Sequence, residues 1–263
     1  MNKPLFLVDL DDTLFQTKRK MSEQDKEQDL KVGALDLSLQ PRSFMTDEQA
    51  MFVDWLLEHA ELIPVTARGT SEIARVKIPY SSWAITTHGA VILQPDKKPD
   101  EIWKAKILRE ISPLQPTILD LQRMCESLLE QRGINGFARI NYEYDGQPIY
   151  LVMKHRNSAQ VQEIYDIAKV VAEEFDLSGF YVHSNSNNIA WLPKCVEKGL
   201  ATEYLLQHIR AEQGIRPIIG LGDSISDHSF LKHCSWWGVP KKSQFANLIQ
   251  QSIDAIDAGV IHE

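Results

Sequence analysis

Residues 5–8, Leu-Phe-Leu-Val, form an unbroken apolar run that stops at an acidic cluster. A central parallel strand with both faces covered reads this way. Similar short runs recur at 62–66 (Leu-Ile-Pro-Val-Thr) and 83–86 (Trp-Ala-Ile-Thr). Thr46-Asp47-Glu48-Gln49 has the form of a capping box and predicts a helix to about His59; a further helix is expected from Thr70 to Lys77. Leu35, Leu37 and Leu39 alternate with Asp36 and Ser38, the pattern of a half-buried strand, here ended by Pro41. The stretch from Gln16 to Met45 is long for a strand-to-helix connection. It is expected to form a flap beside Asp9, with the Leu35–Leu39 strand packed on the core.

From Gly89 the rhythm changes. Weak strands are expected near 90–93 and 101–104, then a long helix at 114–131. Strands at 136–144 and 148–154 flank Asp145-Gly146, a hairpin signal. A helix at 158–175 and strands at 179–183 and 188–192 follow. After Pro193 the alternation returns, with helices at 197–213, 225–233 and 243–254 and strands at 215–221 and 236–239. Strand–helix units at both ends, around a block of hairpins and helices, predict an α/β fold. It has a discontinuous Rossmann-like parallel-sheet core (1–88 and 192–263) and an inserted α+β domain (89–191).

Composition changes this picture little: the 263 residues are 43% hydrophobic and 24% charged, ordinary for a globular chain. The formal net charge of −8 gives no overall positive field, so nucleic acid is not an expected partner. Cys125, Cys195 and Cys234 are odd in number and form no CxxC pair, which fits free thiols in a reducing cytoplasm. The apolar run at the start is too short for a leader or a membrane span, so a cytoplasmic protein without membrane association is expected.

Four clusters carry candidate chemistry. Asp9-Leu10-Asp11-Asp12-Thr13 follows the first strand directly. In open α/β sheets, sites form at the carboxyl ends of strands. Two like charges about 4 Å apart cost roughly 4 kcal/mol at an effective dielectric of about 20. A cation or a proton relieves that cost, though Asp-x-Asp alone is as readily a solvated acidic turn. Ile218-Ile219-Gly220-Leu221-Gly222-Asp223-Ser224-Ile225-Ser226-Asp227 is a second acidic strand end. Its Gly220-x-Gly222 is no dinucleotide fingerprint, because Ile225 holds the third glycine position. Asp223 and Asp227 suit a hard divalent cation such as Mg²⁺ instead. Thr66-Ala67-Arg68-Gly69-Thr70 offers a hydroxyl, a guanidinium and free helix-start amides, the makings of a phosphate site or simply a capped helix. Lys198 opens the helix that follows the insert.

The order Asp-x-Asp, Thr, Lys, Gly-Asp-x-x-x-Asp resembles the haloacid dehalogenase superfamily, which is dominated by phosphatases. Asp9/Asp11, Thr66, Lys198 and Asp223/Asp227 match its four motifs. The insert lies where the family's C2-type caps occur. Ala190-Trp191-Leu192-Pro193-Lys194, with Lys198-Gly199 beyond it, is similar to the cap exit of the Cof-like, sucrose-phosphatase and trehalose-phosphatase branch (subfamily IIB). The chain departs from the usual motifs at Asp12 (usually Gly), Ala67 (usually Gly), His88 (usually Asn) and Ser226 (usually Asn).

The resemblance implies a Mg²⁺-dependent phosphatase in which Asp9 forms an aspartyl-phosphate. Asp11 would protonate the leaving oxygen and then deprotonate water, and crowding by Asp9 and Asp12 favours its proton. Asp9, the Asp11 backbone carbonyl, Asp223 and Asp227 would hold the metal. Thr66 and Lys198 would hold phosphoryl oxygens, with Asp12, Ala67, Arg68 and His88 beside the substrate. The implied partner is a small phosphorylated metabolite, most simply a sugar phosphate; the oligomeric state is left open. Cap side chains such as Arg139, Asn141, Lys154, Asn187 and Asn188 are candidates for choosing it. A phosphomutase or phosphotransferase of the same superfamily is the alternative; a non-catalytic phospho-ligand binder fits less well, since all four catalytic positions are retained. Trp236 and Trp237 are read as sheet or interface residues, and His183, His228 and His233 as ordinary surface or core histidines.

Overall fold

The computed structural model describes residues 3–27, 29–185 and 187–257. The chain divides into two compact units, one of residues 1–100 and 197–263, the other of residues 101–196.

In the first unit β1 (Leu5–Val8) is buried at every position, as its apolar run requires. A short helix α1 (Glu23–Lys26) and an antiparallel pair, β2 (Lys31–Leu35) and β3 (Pro41–Met45), fill the excursion after it. The alternating leucines do not make a strand. Asp36 Oδ1 accepts bonds from the Ser38 and Gln40 amides, closing a turn between β2 and β3. Leu37 and Leu39 are left 83% and 64% exposed, and Pro41 begins β3 rather than ending a strand. The pair is tied to the core elsewhere, through Leu35 N to Arg75 O and Lys77 N to Gly33 O.

The Thr46 capping box forms and opens α2 (Asp47–His59). β4 (Glu61–Pro64) follows, then α3 (Thr70–Ile73), one turn where a longer helix to Lys77 was expected. β5 (Ala84–Thr86) and β6 (Val91–Leu93) pair antiparallel, which keeps residues 90–100 with the first unit rather than with the insert.

In the second unit α4 (Glu101–Ile111) replaces the strand expected at 101–104. Its buried residues, Trp103, Ile107 and Ile111, recur every four positions, a helical period that a four-residue window cannot show. After α5 (Gln115–Gln131) come β7 (Gly136–Glu143) and β8 (Gln147–His155), turned through Tyr144, Asp145 and Gly146, all at positive φ. Helix α6 (Gln162–Glu174), β9 (Phe180–Asn185) and β10 (Asn188–Pro193) complete an antiparallel sheet of order β7-β8-β10-β9. Register aligns Ala138, Met153 and Ile189 in one row and Ile140, Leu151 and Trp191 in another. These rows pack with Ile118, Leu121 and Cys125 of α5 and Ile164, Ile167 and Val171 of α6.

The chain then returns to the first unit with α7 (Lys198–Gln213), β11 (Ile218–Leu221), α8 (His228–Leu231), β12 (Trp236–Gly238) and α9 (Gln244–Asp257). Its main sheet has the order β12-β11-β1-β4, parallel throughout. Trp236 and Trp237 lie on the outermost strand and are 64% and 44% exposed. No helix among the described residues is long and apolar enough to cross a membrane.

The amino end of this sheet is clamped by Arg216. Its Nε donates to the Lys3 carbonyl at 2.7 Å and its Nη1 lies 2.5 Å from Glu61 Oε2, joining the segments that lead into β1, β4 and β11. The guanidinium side is 5% exposed, so its removal would leave the largely buried Glu61 carboxylate without a cation and with Ser82 Oγ as its remaining side-chain donor. Arg216→Leu is therefore expected to cost about 3 kcal/mol in urea denaturation. A loss under roughly 0.5 kcal/mol would place the pair with ordinary surface ion pairs.

Candidate active site

Parallel order brings the carboxyl ends of β1 and β11 side by side, and both continue into acidic loops. The Asp9 amide donates to the Leu221 carbonyl at 2.9 Å, so pairing persists one residue past β1. Beyond β11, Ser224 and Asp227 form a reciprocal cap. The Ser224 amide and hydroxyl donate to Asp227 Oδ2 at 2.9 and 2.8 Å. Gly222 lets this loop close: a Cβ there would stand 2.7 Å from Asp227 Cβ.

Lys198 enters from the first turn of α7. Glu197 caps that helix, accepting from the Gly199 and Leu200 amides at 2.9 and 3.0 Å. The Lys198 ammonium donates to Asp9 Oδ1 at 2.8 Å and to Asp227 Oδ1 at 2.7 Å, with all three side chains nearly buried. Burial opposes its charge, but Asp227 and Asp9 outweigh burial and hold the lysine protonated.

Asp9, Asp223 and Asp227 each offer a carboxylate oxygen, and these lie within 4.8 Å of one another. Burial pushes Asp9 up despite Lys198, and burial with Asp227 and Asp12 nearby pushes Asp223 up to about 7. Burial also acts on Asp227, but Lys198 and the Ser224 donors bring it below its usual value. Fully ionised, three carboxylates against one ammonium would leave an excess of two negative charges in a largely buried place. A hard divalent cation with oxygen ligands fits that donor set and that charge.

The remaining predicted residues are placed as follows. Thr66 is buried at the carboxyl end of β4, and its hydroxyl accepts from the Arg68 amide at 3.2 Å. Ala67 is exposed. Arg68 reaches Asp11 rather than open space, with Nε to Oδ2 at 2.7 Å and Nη2 to Oδ1 at 2.8 Å. The Asp11 side chain is thus turned to Arg68 and lies outside the carboxylate group. Asp12 sits at φ 64° and pairs with Lys20. His88, at φ 55°, donates its amide to the Thr66 carbonyl at 3.2 Å. In the second unit Arg139, Asn141, Lys154 and Asn188 share the sheet face opposite α5 and α6, as strand alternation from Ala138, Ile140, Met153 and Ile189 dictates. Asn187 does not; its amide braces the β8–β10 connection by donating to the His155 carbonyl at 2.8 Å.

Sequence reading missed Ser224, Glu197 and Lys20. The Ser-x-x-Asp spacing of 224–227 is a readable capping signal. Glu197 carried no signal beyond its place before the helix, and Lys20 was one charge among many in a polar stretch.

No protein-family model and no curated protein matches the sequence. Solved structures do. The chain is similar to the sucrose-phosphatase of Synechocystis, solved with sucrose and phosphate, at 16% identity and a TM-score of 0.52, over 96% of this chain and 88% of that one. It is similar to the C-terminal domain of trehalose-6-phosphate phosphatase from C. albicans at 17% identity and a TM-score of 0.54, over 88% and 73% of the two chains. The chain therefore shares the α/β fold of these two structures, with a parallel sheet interrupted by an antiparallel insert.

Proposed function

We propose that this chain is a Mg²⁺-dependent phosphomonoester hydrolase that works through an aspartyl-phosphate on Asp9. The observation that carries this reading is the Asp9 carboxylate itself. It stands at a strand end, bonded to a buried lysine, inside an acidic group that could hold a divalent cation. Asp9, the Asp11 carbonyl, Asp223 and Asp227 would hold Mg²⁺, which when bound neutralises charge between a carboxylate and a phosphate dianion.

The chain's own groups do the rest. An Asp9 oxygen attacks phosphorus, the ester P–O bond breaks, and Asp11 supplies the proton that the leaving oxygen takes. Water then attacks the same phosphorus, Asp11 takes its proton, and the bond to Asp9 breaks to free phosphate. Lys198 and the Thr66 hydroxyl hold phosphoryl oxygens as charge shifts between them. We assign substrate choice to the second unit. A phosphoryl group looks alike on every ester, so discrimination needs groups that touch the leaving portion. Arg139, Asn141, Lys154 and Asn188 form a hydrogen-bonding face suited to a hydroxyl-rich molecule, which supports a sugar phosphate. The sucrose-bound structural neighbour supports the same class.

Three outcomes are expected. Asp9→Asn should keep the fold, seen by circular dichroism, and lose phosphate release from p-nitrophenyl phosphate; substantial turnover by the variant would sink the covalent route. Mg²⁺ must displace a proton from Asp223, so its affinity should weaken as pH falls below about 7 and level off above it. Calorimetric titration between pH 5.5 and 8.5 reads this, and a flat profile would contradict the ligand assignment. Arg139→Ala with Asn141→Ala should lower turnover of the best metabolite found in a phosphate-release screen at least about tenfold more than that of p-nitrophenyl phosphate. Equal losses would remove the second unit from substrate choice.

A further inference from the structure

Arg68 has a second use that its place in a phosphate-type motif does not suggest. Its guanidinium is committed to Asp11 by two parallel bonds, at 2.7 and 2.8 Å, a fork that fixes the plane of the carboxylate. Arg68 is the held partner and Asp11 the guided one. The arginine side chain is 16% exposed against 46% for the aspartate. Its guanidinium carbon lies 5.1 Å from the centroid of Phe15, a ring with no exposed surface. Its backbone is pinned on both sides, the amide donating to Thr66 Oγ1 at 3.2 Å and the carbonyl accepting from Thr87 N at 2.7 Å. Asp11, by contrast, sits in a loop with no helix or strand to set its side chain.

We infer that Arg68 is a positioning residue for the hydrolytic half-reaction, holding the Asp11 carboxylate so that it accepts the proton of the attacking water. The inference rests on the phosphatase reading above. With one lone pair of each Asp11 oxygen taken by the fork, an outer lone pair on each stays open to a proton. In the step concerned the water oxygen bonds to phosphorus. The P–O bond to Asp9 breaks with its electron pair returning to the Asp9 carboxylate, and the water proton passes to Asp11. An arginine that held the phosphoryl group would act in both half-reactions and in substrate binding. One that holds Asp11 acts where Asp11 must receive a proton.

The test uses the full chain with Mg²⁺ and p-nitrophenyl phosphate, whose leaving group departs as a stable phenolate and so makes little demand on a proton donor. Arg68→Met should release about one equivalent of p-nitrophenol per enzyme in a rapid burst. Steady-state kcat should then fall about 10- to 100-fold, the scale of general acid–base assistance, with KM unchanged or lower. Acid-quenched protein should be one phosphoryl group heavier by mass spectrometry. Arg68→Lys keeps the charge without the fork and should give the same burst; it also carries the test if Arg68→Met does not fold. In an Asp11→Asn background, Arg68→Met should change kcat less than about twofold, because its route of action is already gone. The inference is overturned by a variant without burst or phospho-protein, by a loss that sits in KM, or by a further tenfold drop in the Asp11→Asn background. A wild-type chain inactive on every phosphate ester tried would overturn the phosphatase reading first, a result distinct from any of these.

Discussion

Lys198 is the point on which the arrangement turns. Its ammonium joins Asp9 at the end of β1 to Asp227 in the loop after β11, residues that lie 189 and 29 positions from it in sequence. Two carboxylates at adjoining strand ends would push those loops apart. A buried, charge-assisted pair of bonds lets both strands end at the same level. The lysine must remain charged for this, and its own burial argues against that. The two acids that it bridges supply the balance. Truncating Lys198 would strand two buried carboxylates rather than remove one contact, so its value is cooperative and cannot be divided between partners.

That compensation is incomplete by design. Asp227 keeps its charge because Ser224 adds two more donors, while Asp9 has the lysine but no comparable set of bonds, and Asp223 has none to a side chain among the described residues. Burial therefore falls hardest on the two acids with fewer donors, and both are pushed up. A nucleophilic carboxylate must be ionised to attack, yet it must not be so well hydrogen-bonded that it loses its lone pairs. In the role proposed for Asp9, its single lysine partner would leave lone pairs for that attack. A group left in this state is one that a bound cation could complete without further donors from the chain.

Much of this could be read from the sequence because parallel sheets leave continuous marks. Leu5–Val8 is apolar throughout because both of its faces are covered, and the acids that follow stand at a carboxyl end because the run stops there. Thr46 and Gln49, and the Asp145-Gly146 turn, announce themselves through local hydrogen bonding and positive φ. The failures are equally local. Leu35, Leu37 and Leu39 alternate like a strand, but Asp36 bonding forward to Ser38 and Gln40 makes a turn, and turn chemistry overrides a three-residue pattern. Trp103, Ile107 and Ile111 need nine residues to show their period, and a short window at 101–104 sees only the apolar pair Ile102-Trp103 between two charges. The Arg68–Asp11 fork left no mark at all. Its members are 57 residues apart, and each has a ready explanation without the other.

The turn after β5 shows how such distant pieces are held in register. Thr87 and His88 adopt φ of 53° and 55°, and Gly89 follows at 97°. Left-handed backbone costs a non-glycine residue roughly 1–2 kcal/mol, and a β-branched threonine is poorly suited to it. The strain is held by what the turn touches. Thr87 N donates to Arg68 O at 2.7 Å and His88 N to Thr66 O at 3.2 Å, so the turn grips the Thr66–Arg68 loop. On its other side Gly89 lies against the start of α7, where a Cβ would come within 2.4 Å of the Glu197 carbonyl and 3.0 Å of Lys198 N. One strained turn thus spaces the Thr66 hydroxyl from the lysine and, through Arg68, steadies Asp11. Strain persists only where its surroundings over-determine it. Here those surroundings are two segments that carry Thr66, Arg68 and Lys198, so relaxing the turn would shift the two residues proposed to hold phosphoryl oxygens together with the partner of Asp11.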